Sequence, residues 1–172
     1  IIINTKALNN ITIQTGASVA VNNATLRIGG DLSSSGNLSS TTGTIELNGT
    51  ADQIIPSGFF SNNTVKNLII NNNVSLAGID TLTGTLTIIA GKTFTTNDNL
   101  TLKSDSAGTA RIATLPVDGA GIATAFITGN VTIERYIPAK RVWRLLSAPL
   151  SSTGAPTINA SWQEGVTTAS AG

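Results

Sequence analysis

The stretch Thr12-Ile13-Gln14-Thr15-Gly16-Ala17-Ser18-Val19-Ala20-Val21-Asn22 recurs in outline as Thr87-Ile88-Ile89-Ala90-Gly91-Lys92-Thr93-Phe94-Thr95-Thr96-Asn97, at an offset of 87 − 12 = 75. After a one-residue slip, Leu26 and Ile28 match Leu100 and Leu102. Both copies join short alternating apolar runs through a glycine corner. Self-similarity of this kind marks stacked coils, each too small to bury its own apolar face and stabilised by its neighbours. The expected product is an elongated rod.

Outward from this pair, candidate strands centre on Ile11 to Ile13, Val19 to Val21, Leu26 to Ile28, Ile45 to Leu47, Leu68 to Ile70, Val74 to Leu76, Leu86 to Ile88 and Leu100 to Leu102. Each alternates with period two. In Thr44-Ile45-Glu46-Leu47 the pattern turns Ile45 and Leu47 inward and Thr44 and Glu46 to water. Gly16, Gly29-Gly30, Gly43, Gly49, Gly78, Gly84, Gly91 and Asn71-Asn72-Asn73 read as positive-φ corners. Centres roughly six to eight residues apart give coils of about 20 residues with two or three strands each.

The fold class is therefore all-β: a parallel β-helix, right-handed because parallel crossovers are overwhelmingly so. The rival is an antiparallel β-sandwich, with Asn48-Gly49 and Asp118-Gly119 as its hairpin turns. Residues 1–103 are assigned to the solenoid. Near Ser104 the texture changes through Ser106-Ala107-Gly108-Thr109-Ala110, and residues 104–172 are assigned to a β-rich cap or the start of a following module. Phe126 to Ile133 and Arg141 to Leu146 read as strands within it, with Pro138 limiting their pairing.

Composition narrows the function. Hydrophobic residues make up 40%, enough for a continuous core, while charged residues are only 11% and the formal net charge is +1. No broad field draws this surface to nucleic acid or to an anionic membrane. Neither Cys nor His is present, which removes thiolate and imidazole metal ligands and every Ser-His or Cys-His nucleophile. An oxygen-only calcium site is the remaining metal option. Asn97-Asp98-Asn99 is read as a corner turn before a weak calcium ligand set, and Gly29-Gly30-Asp31 as a turn. No cofactor or metal is expected. The low-charge, Thr/Asn/Gly-rich composition points outside the cell. With Ile1 first, no Met and no apolar run of membrane-spanning length, the chain is expected to be a processed product or a fragment.

The acidic residues Asp31, Glu46, Asp52, Asp80, Asp98, Asp105, Asp118, Glu134 and Glu164 are thinly spread. A polysaccharide-cleaving β-helix would need carboxylates converging on one face, and no Asp-x-Asp or Asp-Asp pair occurs, so no catalytic role is expected. The dense basic and aromatic group is Arg135, Tyr136, Lys140, Arg141, Trp143 and Arg144. Guanidinium and indole faces can stack a sugar or hold an anion. The competing role is a cap, with Trp143 and Tyr136 covering the last coil and the arginines pairing with Glu134.

At these residues the chain resembles secreted cell-surface, adhesin-like proteins of Bacteroidetes. The resemblance rests on Thr128-Gly129-Asn130-Val131-Thr132-Ile133-Glu134-Arg135-Tyr136-Ile137-Pro138, Arg141-Val142-Trp143-Arg144-Leu145-Leu146-Ser147-Ala148-Pro149 and Thr157-Ile158-Asn159-Ala160-Ser161-Trp162-Gln163-Glu164-Gly165. Upstream, Val65 to Asn72 and Thr83 to Ile88 resemble the solenoid repeats of the same proteins. The resemblance implies type IX secretion, a place on the cell surface and a stalk or adhesin role. It also implies contacts with other modules of the same protein and with glycans or host and environmental surfaces. It brings no catalytic residue. Asp80-Thr81-Leu82 and Asp105-Ser106-Ala107 resemble the O-glycosylation signal of these bacteria, which makes Thr81 and Ser106 the candidate attachment sites. Self-association into an end-to-end filament and a polysaccharide-active enzyme are the alternative functions.

Overall fold

The computed structural model describes residues 2–3 and 5–138. The described residues are all β, without a helix, and so none that could cross a membrane. The chain enters through β1 (Ile2–Ile3) and β2 (Lys6–Leu8). It then winds through β3 (Ile11–Ile13), β4 (Ser18–Val21) and β5 (Thr25–Ile28), and through β6 (Leu32–Ser34) and the long β7 (Asn37–Leu47). Next come β8 (Gln53–Ile55), the long β9 (Phe60–Ile70), β10 (Val74–Leu76), β11 (Asp80–Leu82) and β12 (Thr85–Ile88). After β13 (Thr93–Thr95) and β14 (Leu100–Leu102), β15 (Ser104–Asp105) and β16 (Gly108–Thr109) make a small hairpin. The chain rejoins the stack as β17 (Arg111–Ile112), β18 (Phe126–Thr128) and β19 (Val131–Ile133).

Every pairing but the β15–β16 hairpin and one isolated bridge, Val117 with Ala123, is parallel. The result is a three-sided β-solenoid of about five turns. One side stacks β1, β4, the first half of β7, the first half of β9, β11, β14 and β19. A second stacks β2, β5, the other halves of β7 and β9, β12 and β17. The third carries β3 on β6, then β8, β10, β13 and β18. The expected parallel β-helix is the observed class, and the sandwich is not. Asn48-Gly49 makes a corner between coils, its Asn48 N–H donating to the Ile28 carbonyl, and only Asp118-Gly119 lies in an antiparallel turn.

Registers are set by inward columns of branched aliphatics. Leu26, Ile45, Leu68, Leu86 and Ile112 follow one another down the second side, one per coil. A column of this kind is continuous core, since each side chain buries its neighbours' faces. Ile45 and Leu47 are fully buried, as the alternation requires. Glu46, expected to face water, is instead covered. Arg27 donates to its Oε2 at 2.7 Å and Asn71 to its Oε1 at 3.0 Å, from the coils on either side. Stacking places residues about 20 apart in sequence side by side, so an outward charge finds neighbours that the strand pattern does not reveal.

The glycine corners divide into two kinds. Gly16 and Gly91 have φ of +80° and +76°, each in a turn closed by a bond across it, Ala17 N–H to Gln14 O and Lys92 N–H to Ile89 O. Gly29, Gly30, Gly43, Gly49, Gly78, Gly84 and the Asn71–Asn73 run were expected at positive φ and are not. At Gly43 the reason for glycine is space: a Cβ there would strike the Val21 carbonyl of the coil before it. At Gly16 a Cβ would meet nothing, so the cost is purely conformational. Gly16→Ala is expected to lower stability by about 1 kcal/mol, read as a lower midpoint in thermal unfolding. An unchanged or raised midpoint would contradict the left-handed corner.

The third side is divided between β6 and β8, and Gln53 bridges the break. Only 5% exposed, its Nε2 donates to Ile28 O at 3.0 Å and Gly30 O at 2.7 Å, while its Oε1 accepts from Gly49 N–H at 2.9 Å and Asn72 Nδ2 at 3.2 Å. One amide thus serves the backbone of two corners where strand pairing lapses.

At Ser104, where the sequence changes texture, the hairpin is inserted, and parallel stacking then resumes through β17, β18 and β19. The chain divides into two units at Pro138, the first being residues 1–138.

Candidate functional surface

The outward side chains are aligned by the same registers that align the core. On the first side Thr64, Thr81, Thr101 and Thr132 stand in one row, rung after rung. On the third side Ile54, Ser75, Thr95 and Thr128 do the same. Successive rungs are about 4.8 Å apart, so each row is a regular file of hydroxyl side chains without a charge, the second headed by the exposed Ile54.

Carboxylates mostly fasten corners. Asp52 accepts from Asn73 Nδ2 at 3.2 Å, and Asp98 Oδ1 accepts from Asn130 N–H at 2.6 Å. Asp105 Oδ1 accepts from Ala107 N–H at 2.8 Å, and Asp118 Oδ1 from the N–H groups of Ala120 and Ile122, both at 2.9 Å. Asn97 and Asp98 both adopt positive φ, and Asn97 Nδ2 donates to Leu76 O at 2.8 Å, which makes Asn97-Asp98-Asn99 a corner. Among the described residues no group of three or more carboxylates is placed to hold a metal ion.

Asp80 departs from this pattern. Its side chain points into the solenoid, 3% exposed, in register with Leu100, and its Oδ1 has no hydrogen-bond partner. Burial away from water pushes its pKa from 3.8 to about 7. Asp80-Thr81-Leu82 therefore offers an enzyme only the half-buried Thr81, in a strand paired on both edges. Ser106 sits on the exposed tip of the β15–β16 hairpin. The position of each in the coil separates the two motifs.

Of the basic and aromatic group, Arg135 and Tyr136 are described and exposed just after β19. Lys140, Arg141, Trp143 and Arg144 lie outside the described residues. Of the arginines expected to pair with Glu134, Arg141 and Arg144 lie outside the described residues; among the described residues Glu134 pairs with Lys103 at 3.0 Å, and Ser104 N–H donates to it at 3.2 Å. These bonds, the lysine's first, hold its carboxyl below the usual range. Tyr136 is fixed through its backbone N–H, which donates to Ser104 Oγ at 2.9 Å. Lys103 was missed because it belongs to the preceding coil, 31 residues away.

No family model, no curated protein and no solved structure matches this chain.

Proposed function

We propose that this chain is a structural and adhesive segment, a stalk or adhesin part, of a secreted bacterial cell-surface protein. The observation that carries this reading is the use made of its polar groups. Thr, Ser and Asn form outward files, and most described carboxylates are spent on corners and coil-to-coil bonds. Such a surface suits display of a low-charge face to other modules of the parent protein and to glycans or host and environmental surfaces. Glycosidase chemistry needs two carboxylates facing one substrate, and the corner bonds argue against that use of these groups. The resemblance to adhesin-like proteins of Bacteroidetes supports export by type IX secretion and a place outside the cell.

The test is protease shaving of intact producing cells, with detection of this segment by antibody, together with a reducing-sugar assay of the purified chain on a panel of polysaccharides. Release from intact cells without sugar release is the expected result. Retention until the cells are lysed would overturn the surface assignment, and sugar release would overturn the non-enzymatic one.

A further inference from the structure

The first side carries one irregular rung. Leu38 of β7 is in register with Phe60 of β9 and Ser40 with Val65, so Ser39 alone stands opposite Ser61, Asn62, Asn63 and Thr64. A bulge leaves its extra residues unpaired and disrupts the ladder around them. Asn62 and Asn63 are exposed and both take positive φ, +55° and +50°. Toward the next coil, β9 meets β11 only from Thr64 and Thr81 onward, and the residue before Thr81 is Asp80.

Among the described residues, two buried side-chain atoms lack a hydrogen-bond partner, Ser40 Oγ and Asp80 Oδ1. Both residues lie on this same side, in the coils before and after the bulge. Asp80 is held from its far edge alone: its N–H donates to Asn99 O at 2.9 Å, and it is in register with Leu100 of β14. No charged side chain offsets its own. Lys66 on β9 donates to Thr83 O, Asp98 before β14 accepts from Asn130 N–H, and Lys103 after β14 pairs with Glu134. The inward residues of β10 and β12, Val74, Leu76, Leu86 and Ile88, are apolar. A carboxylate cannot carry its charge in such surroundings without water, and the bulged edge is the break in the ladder beside it.

We propose that Asp80 and the 61–64 bulge form a proton-controlled gate in the first side. With the carboxyl protonated, the β9–β11 edge is closed. When the proton passes to solvent, that edge opens at the bulge, water reaches the carboxylate, and the other strands stay paired. The β11–β14 edge holds because three register pairs and the Asp80 N–H bond secure it, against two register pairs on the β9 edge. The second side stays continuous through Leu68, Ile69 and Ile70 of β9, paired with Leu86, Thr87 and Ile88. Opening of one weak rung at less cost than global unfolding is ordinary behaviour of folded chains. The gate concerns the purified chain alone and stands or falls separately from the stalk assignment.

The test is amide hydrogen exchange of the full chain at pH 5 and pH 8, each rate corrected for intrinsic exchange at that pH. Three amides report on three edges. Thr83 N–H is bonded to Val65 O across the β9–β11 edge, Lys103 N–H to Leu82 O across β11–β14, and Ile89 N–H to Ile70 O at the end of β9–β12. Because burial moves the Asp80 pKa from 3.8 to about 7, release of one proton favours the open edge about tenfold per pH unit up to 7. Thr83 should therefore be protected about a hundredfold at pH 5 and scarcely at all at pH 8. Lys103 and Ile89 should remain about a hundredfold better protected than Thr83 at pH 8. Urea below the unfolding transition should leave Thr83 exchange unchanged, as a local opening requires. In Asp80→Asn the Thr83 amide should keep its protection at pH 8, and the wild-type comparison decides alone if that variant does not fold. Equal protection of the three amides at pH 8, Thr83 exchange that accelerates with urea, or an Asp80→Asn protein that still loses Thr83 protection would each overturn the gate.

Discussion

Asp80→Asn is expected to stabilise the protein at pH 8 by up to about 4 kcal/mol and to leave it unchanged at pH 3. In the unfolded chain Asp80 ionises near 3.8, whereas in the fold burial holds the proton until about pH 7. Below 3.8 both states are protonated, and the carboxyl carries no penalty. As pH rises through the window from 3.8 to about 7, the unfolded state releases its proton and the folded state retains it, so stability is lost progressively. Above 7 the loss is complete, about 4 kcal/mol at 1.36 kcal/mol per pH unit. The amide cannot ionise, so the variant should show no such slope. Urea unfolding at a series of pH values, read as the difference between variant and wild type, isolates this residue. Glu134, whose pKa is lowered by Lys103 and Ser104, acts in the opposite sense at lower pH and cancels in the difference. A wild type that is flat from pH 4 to 7, or a variant less stable at pH 8, would show that the carboxyl is not buried.

Gln53→Leu is expected to cost about 3–5 kcal/mol. The substitution keeps the volume and the burial, so packing changes little. It removes two donors and one acceptor from the interior, leaving the Gly30 carbonyl and the Gly49 N–H without their partner and the Ile28 carbonyl with the Asn48 N–H alone, where β6 and β8 fail to pair. Asn72 Nδ2 retains only its bond to Ala51 O. Each orphaned buried group costs roughly 1–3 kcal/mol, and such groups share one low-dielectric site. Gln14→Leu, at an exposed position, serves as the control and should stay within about 0.5 kcal/mol of wild type. Urea midpoints of the two variants decide the matter, and a Gln53→Leu protein within about 1 kcal/mol of wild type would mean that the corners are held by other bonds.

The two residues also mark where the sequence stops being legible. Alternation gave the strands and their inward residues, because period two follows from the pleat and depends on nothing distant. Ile45, Leu68 and Leu86 could each be assigned to the core from their own neighbours. What stacks on what could not be read locally. The likeness across 75 residues joins two turns of the same shape at different corners: Gln14–Ala17 links the third side to the first, and Ile89–Lys92 links the second to the third. The repeat visible in the sequence is therefore the strand-and-corner unit, of which each coil holds three, and successive coils match only through the pairing registers.

For the same reason Gln53 gave no signal as a bridge, nor Lys103 as the partner of Glu134. Asp80 could be listed among the acids but not placed in the interior, since an aspartate at the start of a Thr-Leu run looks like corner composition. Alternation does carry a faint clue: Asp80 shares its parity with Leu82, and that parity faces inward. The glycines misled in the other direction. Gly43 is required by the closeness of the neighbouring coil, which has no local signature, whereas Gly16 is required by its own φ.

The absence of native cysteine makes one distance measurement clean. Thr25 and Arg111 lie on the outward face of the second side and flank the column from Leu26 to Ile112, four rungs apart through consecutive parallel registers. With Thr25→Cys and Arg111→Cys carrying nitroxide labels in a background of excess unlabelled chain, double electron–electron resonance should give a single distribution centred at about 19 Å, four rungs of about 4.8 Å. A distribution centred beyond about 30 Å, or one split into separate populations, would contradict a continuous parallel stack.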